Sequence, residues 1–577
     1  MKIRVSKSAL AALAACILSV PSLKAGEIAP VFRRADAPVS SLDPIQATSS
    51  SAGRPVCLVY ETLLQYDYAA RPYRLIPYAA ETMPEISPDG RTLTFRLRDD
   101  LFFGPDACFD TPDRRRKITS ADVVFSWKRL ADAKLTSGGR WIFAGLIEGF
   151  DEFYEASRDP KRPTDYTREI AGLQTPDEKT LVIRLTRPVP DFLWRLALPF
   201  GAIVPPEAVA AYGARFGQHE AGSGPFRLTD WKRGHRMRFE RRPGRDSARD
   251  RTPVLEDWTG TVPYEAIEYW CMSDASTRWL SFLRGTFELA TEISRDNWDA
   301  VLDENGELRP GLAQRGIRIA AQPALETYFI GFNMDDPVVG ANVNLRRALS
   351  CAFDASTWVA FNRGRVVASD GPIPPGIANR LETPQPYGYH PERAKQLLAE
   401  AGYPNGIDPA TGRRLRLTLT LGKADQETRE GAELVASFFS KIGIDLALDI
   451  QTFPHFIQSL AKRNTAIFLL SWIADYPDPL NFLQLFASQN ASPGPNRVNF
   501  SNAQYDALYE EACATTDEQR RRTLCLEMQE IIRSQMPWIF LYHRREIVLL
   551  GPHLANFRLH DFPLGMEKHW RYKPSHP

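Results

Sequence analysis

The sequence lacks the short motifs that mark the best-defined catalytic sites. It contains no Gly-x-Ser-x-Gly elbow, no Gly-x-x-x-x-Gly-Lys phosphate loop and no His-Glu-x-x-His pair. Its nine histidines are scattered, and no Cys-x-x-Cys occurs. These absences exclude the familiar hydrolase elbow, the phosphate-binding loop of nucleotide hydrolases and the usual structural zinc sites.

The chain also has little net charge. The formal charge of its 577 residues is +1, and residues 26–577 hold 67 basic against 70 acidic side chains. Without a basic surplus there is no electrostatic reason to expect nucleic acid as a partner. The composition is that of a globular protein, and the length exceeds what one hydrophobic core supports, so two or more domains are expected.

No later segment is long and apolar enough to span a bilayer, but the first 25 residues carry an export pattern. Residues 1–7 are basic, residues 8–20 are apolar, and residues 21–25 break the apolar run before a cleavage site at Ala25. We predict a signal peptide at 1–25 and a periplasmic protein. Two alternatives stay open: lipidation at Cys16 within a lipobox-like LAAC, and a buried N-terminal helix.

Few cysteines remain after such cleavage. They are Cys57, Cys108, Cys271, Cys351, Cys513 and Cys525. An oxidising compartment permits disulfides, but six cysteines allow fifteen pairings. The pair closest in sequence, Cys513 and Cys525, is a candidate, and small buried thiols are an equal alternative.

Hydrophobic periodicity predicts an α/β protein. In the first half, residues 93–98 and 180–186 alternate as strands do, and Thr119 caps a helix. The second half predicts a β-α-β-α-β series, which implies a parallel sheet. Its strands and helices are expected at 391–402 (helix), 415–421 (strand), 425–441 (helix), 444–453 (strand), 454–463 (helix) and 466–472 (strand). Two further helices are expected to start at Ser501 and Thr516.

The last strand of this series leads into a loop with two aspartates. Ligands of open α/β sheets bind beyond the carboxyl ends of the strands, and residues 474–479 lie there. Two prolines stiffen this loop, so Asp475 and Asp478 are expected at the rim of a cleft. Two other interpretations stay open: Asp475 caps a turn or the following helix at 480–487, and the two aspartates form a weakly supported catalytic pair.

Several motifs, in order along the chain, carry a family resemblance. They are 41–44 (SLDP), 59–63 (VYETL), 87–99 (SPDGRTLTFRLRD), 118–127 (ITSADVVFSW), 222–226 (GSGPF), 328–334, 345–349 (LRRAL), 389–402 and 472–479 (WIADYPDP). Together they resemble the family 5 extracytoplasmic solute-binding proteins of ABC transporters, of the oligopeptide- and dipeptide-binding type.

The resemblance implies a periplasmic-binding-protein-like fold. Two α/β lobes would enclose a ligand cleft, and the first lobe would carry an extra N-terminal subdomain. The expected boundaries are 26–75, 186–270 and 550–577 for lobe I, 76–185 for the subdomain and 271–549 for lobe II.

The resemblance also implies how a ligand is held. Family members bind a peptide as an added strand through backbone groups, which tolerates varied side chains. By position, Ser471 and Ile473 would offer such groups from one lobe, and Thr48 and Ser50 from the other. Asp475 would receive the N-terminal ammonium of the peptide.

Two aromatic residues and one lysine complete the site that the resemblance implies. Phe453 and Trp472 match residues of side-chain pockets. Lys423 lies near a carboxylate-binding arginine of the dipeptide-type members, although a solvated loop lysine is the alternative. Leu469 and Glu427 depart from the arginine and histidine of the tripeptide-type members, which leaves the peptide length open.

The expected function is therefore peptide delivery to an inner-membrane ABC permease by a monomeric receptor, with no cofactor, metal or catalytic residue. One alternative is the same receptor role for an opine, an oligosaccharide, a metal chelate or another solute. The other alternative is a hydrolase that uses Asp475 and Asp478.

Overall fold

The structure is a computed structural model that describes residues 30–243, 261–291, 293, 295–303 and 307–574. The predicted signal peptide at 1–25 and the alternative lipid anchor at Cys16 lie outside the described residues. Within the described ranges, every helix is too short or too polar to cross a membrane.

The strands are distributed over the whole described chain. They are β1 (Val31–Asp36), β2 (Leu64–Tyr66), β3 (Leu75–Pro77), β4 (Glu85–Ile86), β5 (Thr92–Arg96), β6 (Phe102–Phe103), β7 (Arg116–Lys117), β8 (Leu173–Gln174), β9 (Thr180–Arg184), β10 (Phe226–Lys232), β11 (Arg236–Arg241), β12 (Val262–Pro263), β13 (Ala266–Cys271), β14 (Leu289–Ala290), β15 (Arg318–Phe332), β16 (Val366–Ala368), β17 (Ile407–Asp408), β18 (Arg413–Arg414), β19 (Arg416–Leu421), β20 (Asp445–Ile450), β21 (Ile467–Ile473), β22 (Trp538–Leu550), β23 (Leu554–Ala555) and β24 (Arg571–Tyr572).

The α-helices alternate with these strands, most densely in the second half. They are α1 (Ser50–Val59), α2 (Ser120–Leu130), α3 (Phe150–Ser157), α4 (Phe192–Arg195), α5 (Pro206–Tyr212), α6 (Ala275–Leu283), α7 (Arg295–Val301), α8 (Pro310–Ala313), α9 (Val343–Ala352), α10 (Ala355–Phe361), α11 (Pro391–Glu400), α12 (Gln426–Ser440), α13 (Phe453–Ala461), α14 (Leu480–Leu483), α15 (Ala503–Ala514) and α16 (Glu518–Gln535).

The first lobe is built on a four-stranded sheet in the order β1-β13-β11-β10. Strand β1 pairs with β13 in parallel, and the other pairs are antiparallel. Strands β1 and β11 alternate buried and half-buried residues; Met237 and Phe239 of β11, for example, point into the core. This alternation is typical of a sheet with one buried face.

A smaller antiparallel sheet in the order β4-β5-β9-β8 confirms the two strands predicted in the first half. Beside it, helix α2 starts with the predicted capping box. The Asp122 carboxylate accepts hydrogen bonds from the Thr119 N–H at 2.7 Å and hydroxyl at 3.1 Å. Trp127 on the same helix is fully buried, which anchors the helix in the core.

The second lobe is built on a seven-stranded sheet in the order β14-β22-β15-β21-β19-β20, with β16 paired to β22. Strands β20, β19 and β21 are parallel, as the predicted β-α-β-α-β series requires. The long strands β15 and β22 are antiparallel to their neighbours, so the whole sheet is mixed. Val435, Phe438 and Phe439 of α12 are buried, which explains how this crossover helix packs.

Three details differ from the expectations. Helices α15 and α16 are capped by Asn502 and Asp517, one residue after the predicted Ser501 and Thr516. Asn502 Oδ1 accepts from the Tyr505 N–H at 2.9 Å, because an amide or carboxylate oxygen is as good a cap as a hydroxyl. The six described cysteines are free thiols, so the candidate pair Cys513–Cys525 is not joined.

Candidate functional site

Three adjoining cavities form a cleft. We call them the wide cavity (about 650 Å³), the middle cavity (about 440 Å³) and the narrow cavity (about 180 Å³). The wide and middle cavities share Arg544 and Glu546. The middle and narrow cavities share Ser50, Ile473 and Ala474, so strand β21 and the loop after it line the whole cleft.

Strand β21 has one incomplete edge. On one side, β15 pairs with all of it, from Ile467 to Ile473. On the other side, β19 pairs only with Ile467 and Phe468. Within the described chain, the second half of β21 therefore has an edge that no other strand covers.

The direction of the free backbone groups follows from strand geometry. The Ala474 N–H donates to the Leu325 carbonyl on the β15 side at 2.9 Å. Because successive residues of a strand direct their backbone groups to opposite sides, those of Leu469, Ser471 and Ile473 face away from β15. The two backbone positions that the sequence suggested, Ser471 and Ile473, thus lie on the uncovered edge.

Asp475 follows this edge directly and lines the narrow cavity. Burial raises the pKa of its carboxyl above the usual range, although the hydrogen bond from Asn481 and the positive charge of Arg195 oppose the shift. No lysine or arginine of the described chain forms an ion pair with it. A partly buried carboxylate without a paired cation is unfavourable, so this position favours a cationic ligand group.

Asn481 holds Asp475 and Trp472 in place. Its Oδ1 accepts from the Trp472 Nε1 at 3.0 Å and from the Asp475 N–H at 3.2 Å, while its Nδ2 donates to Asp475 Oδ2 at 3.2 Å. Asn481 is fully buried. The carboxylate therefore stands on a loop whose position is fixed before a ligand arrives.

Asp478 has a different role. Its carboxylate oxygens accept from one guanidinium nitrogen of Arg521 at 2.8 and 2.9 Å, and Oδ1 also accepts from the Leu480 N–H at 2.9 Å. The carboxylate raises the pKa of Arg521. Asp478, and not Asp475, thus accepts from the first backbone N–H of the helix that begins at Leu480, and Arg521 contacts both of its carboxylate oxygens.

Arg195, the cation whose charge reaches Asp475, is itself bound by other groups. Its guanidinium donates to Asp191 at 2.9 Å and to the Tyr476 hydroxyl at 3.1 Å. The Tyr476 hydroxyl donates to the same Asp191 oxygen at 2.5 Å. Asp191 therefore already balances the charge of Arg195, and little of it remains for Asp475.

The other predicted residues fall into three groups. Ser471, Phe453 and Lys423 line the wide cavity, and Ser50 lines the other two with Ile473. Trp472 is half-buried beside the cleft, with its indole bound to Asn481. Thr48 lines none of the three cavities, because its N–H donates to the Gln46 carbonyl at 2.8 Å and its side chain packs on Gly138.

The basic groups of the wide cavity are mostly paired with acidic ones. Arg365 contacts Glu427 at 2.8 Å, Arg544 contacts Glu546 at 3.1 Å, and Lys423 lies 3.7 Å from Asp425. Lys423 is largely exposed. Leu469 and Glu427, the two positions that depart from the tripeptide type, also line this cavity.

Sequence reasoning missed the contributions of distant segments. Tyr66, Asp561 and Phe562 line the narrow cavity, and Tyr328 and Tyr542 line the wide one. None of them stands in a local pattern that signals a cleft. The described residues contain no group of three His, Cys, Asp or Glu side chains placed to hold a metal ion.

Comparison with known proteins agrees with this geometry. The model of the bacterial extracellular solute-binding proteins, family 5 Middle, matches residues 74–494. Heme-binding protein A of Haemophilus influenzae is 26% identical over 522 residues, which cover 89% of this chain and 86% of that protein. The dipeptide-binding protein of Escherichia coli is 23% identical over 502 residues, or 84% and 83% of the two chains.

Solved structures share the fold. HbpA2 from Haemophilus parasuis superposes with a TM-score of 0.74 at 23% identity, over 92% of this chain and 97% of that one. The periplasmic binding protein DppA from Helicobacter pylori, in complex with the peptide STSA, gives a TM-score of 0.68 at 22% identity, over 94% and 98%. These likenesses confirm the two-lobed α/β fold. The chain belongs to the bacterial extracellular solute-binding proteins of family 5.

Proposed function

We propose that this protein is a receptor that binds short peptides with a free N-terminus and delivers them to an ABC importer. The relatives named above include proteins described as dipeptide- and heme-binding. The observation that supports a peptide is the uncovered edge of β21, which ends at a partly buried carboxylate that forms no ion pair among the described residues. Backbone groups and one anion are what an extended peptide with a terminal ammonium requires.

The binding mode follows from this arrangement. A peptide pairs with the backbone of Ser471 and Ile473, and its ammonium contacts Asp475. Ser50, at the start of α1, approaches the same cavity from the first lobe. The ligand thus contacts both lobes, which is the condition for closure of the lobes around it.

The organisation of the chain is part of the proposal. Lobe I comprises 26–75, 186–270 and 550–577, its subdomain 76–185, and lobe II 271–549. The strands of the four- and seven-stranded sheets fall into these ranges, except for the last residue of β13 and the last residue of β22. The mature protein is a periplasmic monomer, exported by the segment 1–25, and it docks on an inner-membrane permease.

We also propose that the protein has no hydrolytic activity. A hydrolase would need Asp475 and Asp478 to act together, and Asp478 is bound by Arg521 and the Leu480 N–H. Among the described residues, no hydrogen bond or ion pair joins Asp475 to a second acid or base, as a catalytic pair would require. The described residues therefore support binding rather than turnover.

Thermal unfolding with a library of di- to pentapeptides tests the function. A ligand at 100 times its Kd stabilises a receptor by about 2.7 kcal/mol, which is a measurable rise in Tm. We expect a rise with peptides and none with their constituent amino acids. Mass spectrometry of ligand retained on purification identifies the natural solute, and recovery of an opine, a sugar or a chelate without any peptide response would contradict the proposal.

A further inference from the structure

The wide cavity is lined by aromatic rings. Tyr328 and Tyr542 stack with their ring centres 4.5 Å apart and their planes 13° apart. Trp358 lies 5.8 Å from Tyr542 at 24°, which extends the stack. Trp298 and Phe453 line the same cavity. Such a surface offers ring faces and edges to another ring, an arrangement that favours aromatic over aliphatic groups.

Two glycines make room for this lining. A Cβ atom at Gly422 would lie 2.5 Å from a ring carbon of Phe456, and one at Gly431 would lie 3.0 Å from Trp358. The absence of these side chains lets both rings pack close to the backbone. The resulting space of about 650 Å³ lies within the range of small-molecule sites.

Phe453 presents exposed apolar surface to the cavity. Its side chain is 57% exposed, and only Ile473, at 64%, exceeds it among the exposed large hydrophobic residues of the described chain. Both residues line the cleft. Exposed apolar surface that is concentrated in a concave site is typical of ligand contact.

The position of the cavity along β21 sets which part of a peptide reaches it. Asp475 lies beyond the carboxyl end of the strand, so a peptide anchored there must run antiparallel to β21 to pair with its edge. Ser471 lines the wide cavity and lies four residues before Asp475, or about 13 Å along a strand. A dipeptide spans at most about 7 Å, so only the third and later residues reach the cavity.

We propose that the wide cavity selects an aromatic side chain at the third or fourth position of the peptide, so that the preferred ligands have at least three residues. This inference rests on the proposed function and on the anchor at Asp475. It concerns the preferred ligand and not the existence of peptide binding. An experiment can therefore contradict the aromatic preference without contradicting the receptor function.

Calorimetric titration of the full chain with four tetrapeptides tests the inference. The series is Ala-Ala-Ala-Ala, Ala-Ala-Phe-Ala, Ala-Ala-Ala-Phe and Phe-Ala-Ala-Ala, with Ala-Phe as the short control. We expect at least tenfold tighter binding when Phe stands third or fourth than for all-alanine, and a smaller gain when it stands first. The dipeptide should bind more weakly than the better aromatic tetrapeptide.

A matched pair of variants locates the effect. Phe453→Ala should reduce the advantage of the better aromatic tetrapeptide over all-alanine at least threefold. Tyr389→Ala is the control, because Tyr389 is 45% exposed and outside the three cavities.

Equal affinity for the aromatic and alanine tetrapeptides would overturn the aromatic preference and leave the receptor proposal intact. Dipeptide binding as tight as that of the aromatic tetrapeptides would overturn the length requirement. A chain that binds none of the peptides, but binds hemin, would overturn both the inference and the proposed function.

Discussion

The two halves of the loop 474–479 carry the same side chain in opposite circumstances. Asp475 faces the narrow cavity, with an amide as its side-chain partner. Asp478 forms an ion pair with Arg521 of helix α16. It also accepts a hydrogen bond from the Leu480 N–H. Three residues apart, one carboxylate forms an ion pair within the fold, and the other is the one that we propose to bind a ligand.

The comparison shows how a binding protein can keep an uncompensated charge. The ion pair of Asp478, together with Asn481, fixes the loop. The loop can then hold Asp475 at a position where burial raises the pKa of its carboxyl. Burial also raises the pKa of the Asp478 carboxyl, but there Arg521 and the Leu480 N–H offset the cost. Asp475 has no such ion pair among the described residues, and we propose that a ligand cation takes that place.

The largest expected effect on stability comes from removing the ion pair between Asp478 and Arg521. Asp478→Asn leaves the Arg521 guanidinium buried without its anion, so we expect a loss of about 3–5 kcal/mol in the free energy of unfolding. Urea unfolding followed by circular dichroism measures it. The control is the double variant Asp478→Asn with Arg521→Met, which should recover much of the loss because no unpaired guanidinium stays buried. A single variant as stable as the parent would contradict the assigned role.

The pH dependence of peptide affinity tests whether an ionised Asp475 binds the peptide. Binding of an ammonium requires an ionised Asp475, and burial raises the pKa of this carboxyl in the free protein. Affinity should therefore fall as the pH drops through that raised pKa, and the fall should begin at a higher pH than an aspartate of ordinary pKa would give. Titration calorimetry from pH 7.5 to 4 measures it. An N-acetylated peptide should lack this decline, and identical profiles for the two peptides would refute the mechanism.

A smaller effect concerns the residue that joins Asp475 to Trp472. Asn481→Ala removes three hydrogen bonds and leaves the Trp472 indole N–H and the Asp475 N–H without their acceptor. We expect a loss of about 1–3 kcal/mol in the free energy of unfolding and weaker peptide binding. Urea unfolding and calorimetry check the two parts. Gln484→Ala, on the adjoining turn, is the control. Unchanged affinity in the Asn481 variant would show that peptide binding does not depend on how Asn481 holds the loop.

The smallest expected effect has the opposite sign. Because the folded-state pKa of Asp475 is raised, its ionised form opposes folding, and the stability linked to this group is present at low pH and lost as the pH rises through that pKa. At neutral pH, Asp475→Asn should leave the ligand-free protein as stable as the parent or slightly more so. Thermal unfolding at pH 7.5 measures it, and a clear fall in Tm would show that Asp475 stabilises the fold.

Sequence alone predicted the parts of this account that depend on local pattern. The periodicity of residues 391–472 predicted the parallel strands β19, β20 and β21, and strand order placed Asp475 beyond the end of β21. The local pattern could not distinguish Asp475 from Asp478, because the deciding partner, Arg521, lies 43 residues further along the chain. Only the family resemblance singled out Asp475.

The lining of the cleft was beyond sequence reasoning for the same reason. Tyr328, Trp358 and Tyr542 stack together although more than two hundred residues separate the first from the last. The predicted position of one helix cap was wrong by one residue. Ser501 and Asn502 are both good caps, and only the backbone geometry selects Asn502.

The most direct test of the central claim compares two peptides on two proteins. A tetrapeptide with a free amine and its N-acetylated counterpart are titrated into the parent and into Asp475→Asn. We expect Asp475→Asn to lose about 2–5 kcal/mol of binding free energy, or at least about 30-fold in affinity, for the peptide with a free amine, because the ammonium loses its carboxylate partner. Affinity for the acetylated peptide should be nearly unchanged. Equal losses for both peptides, or none for either, would contradict Asp475 as the ammonium anchor.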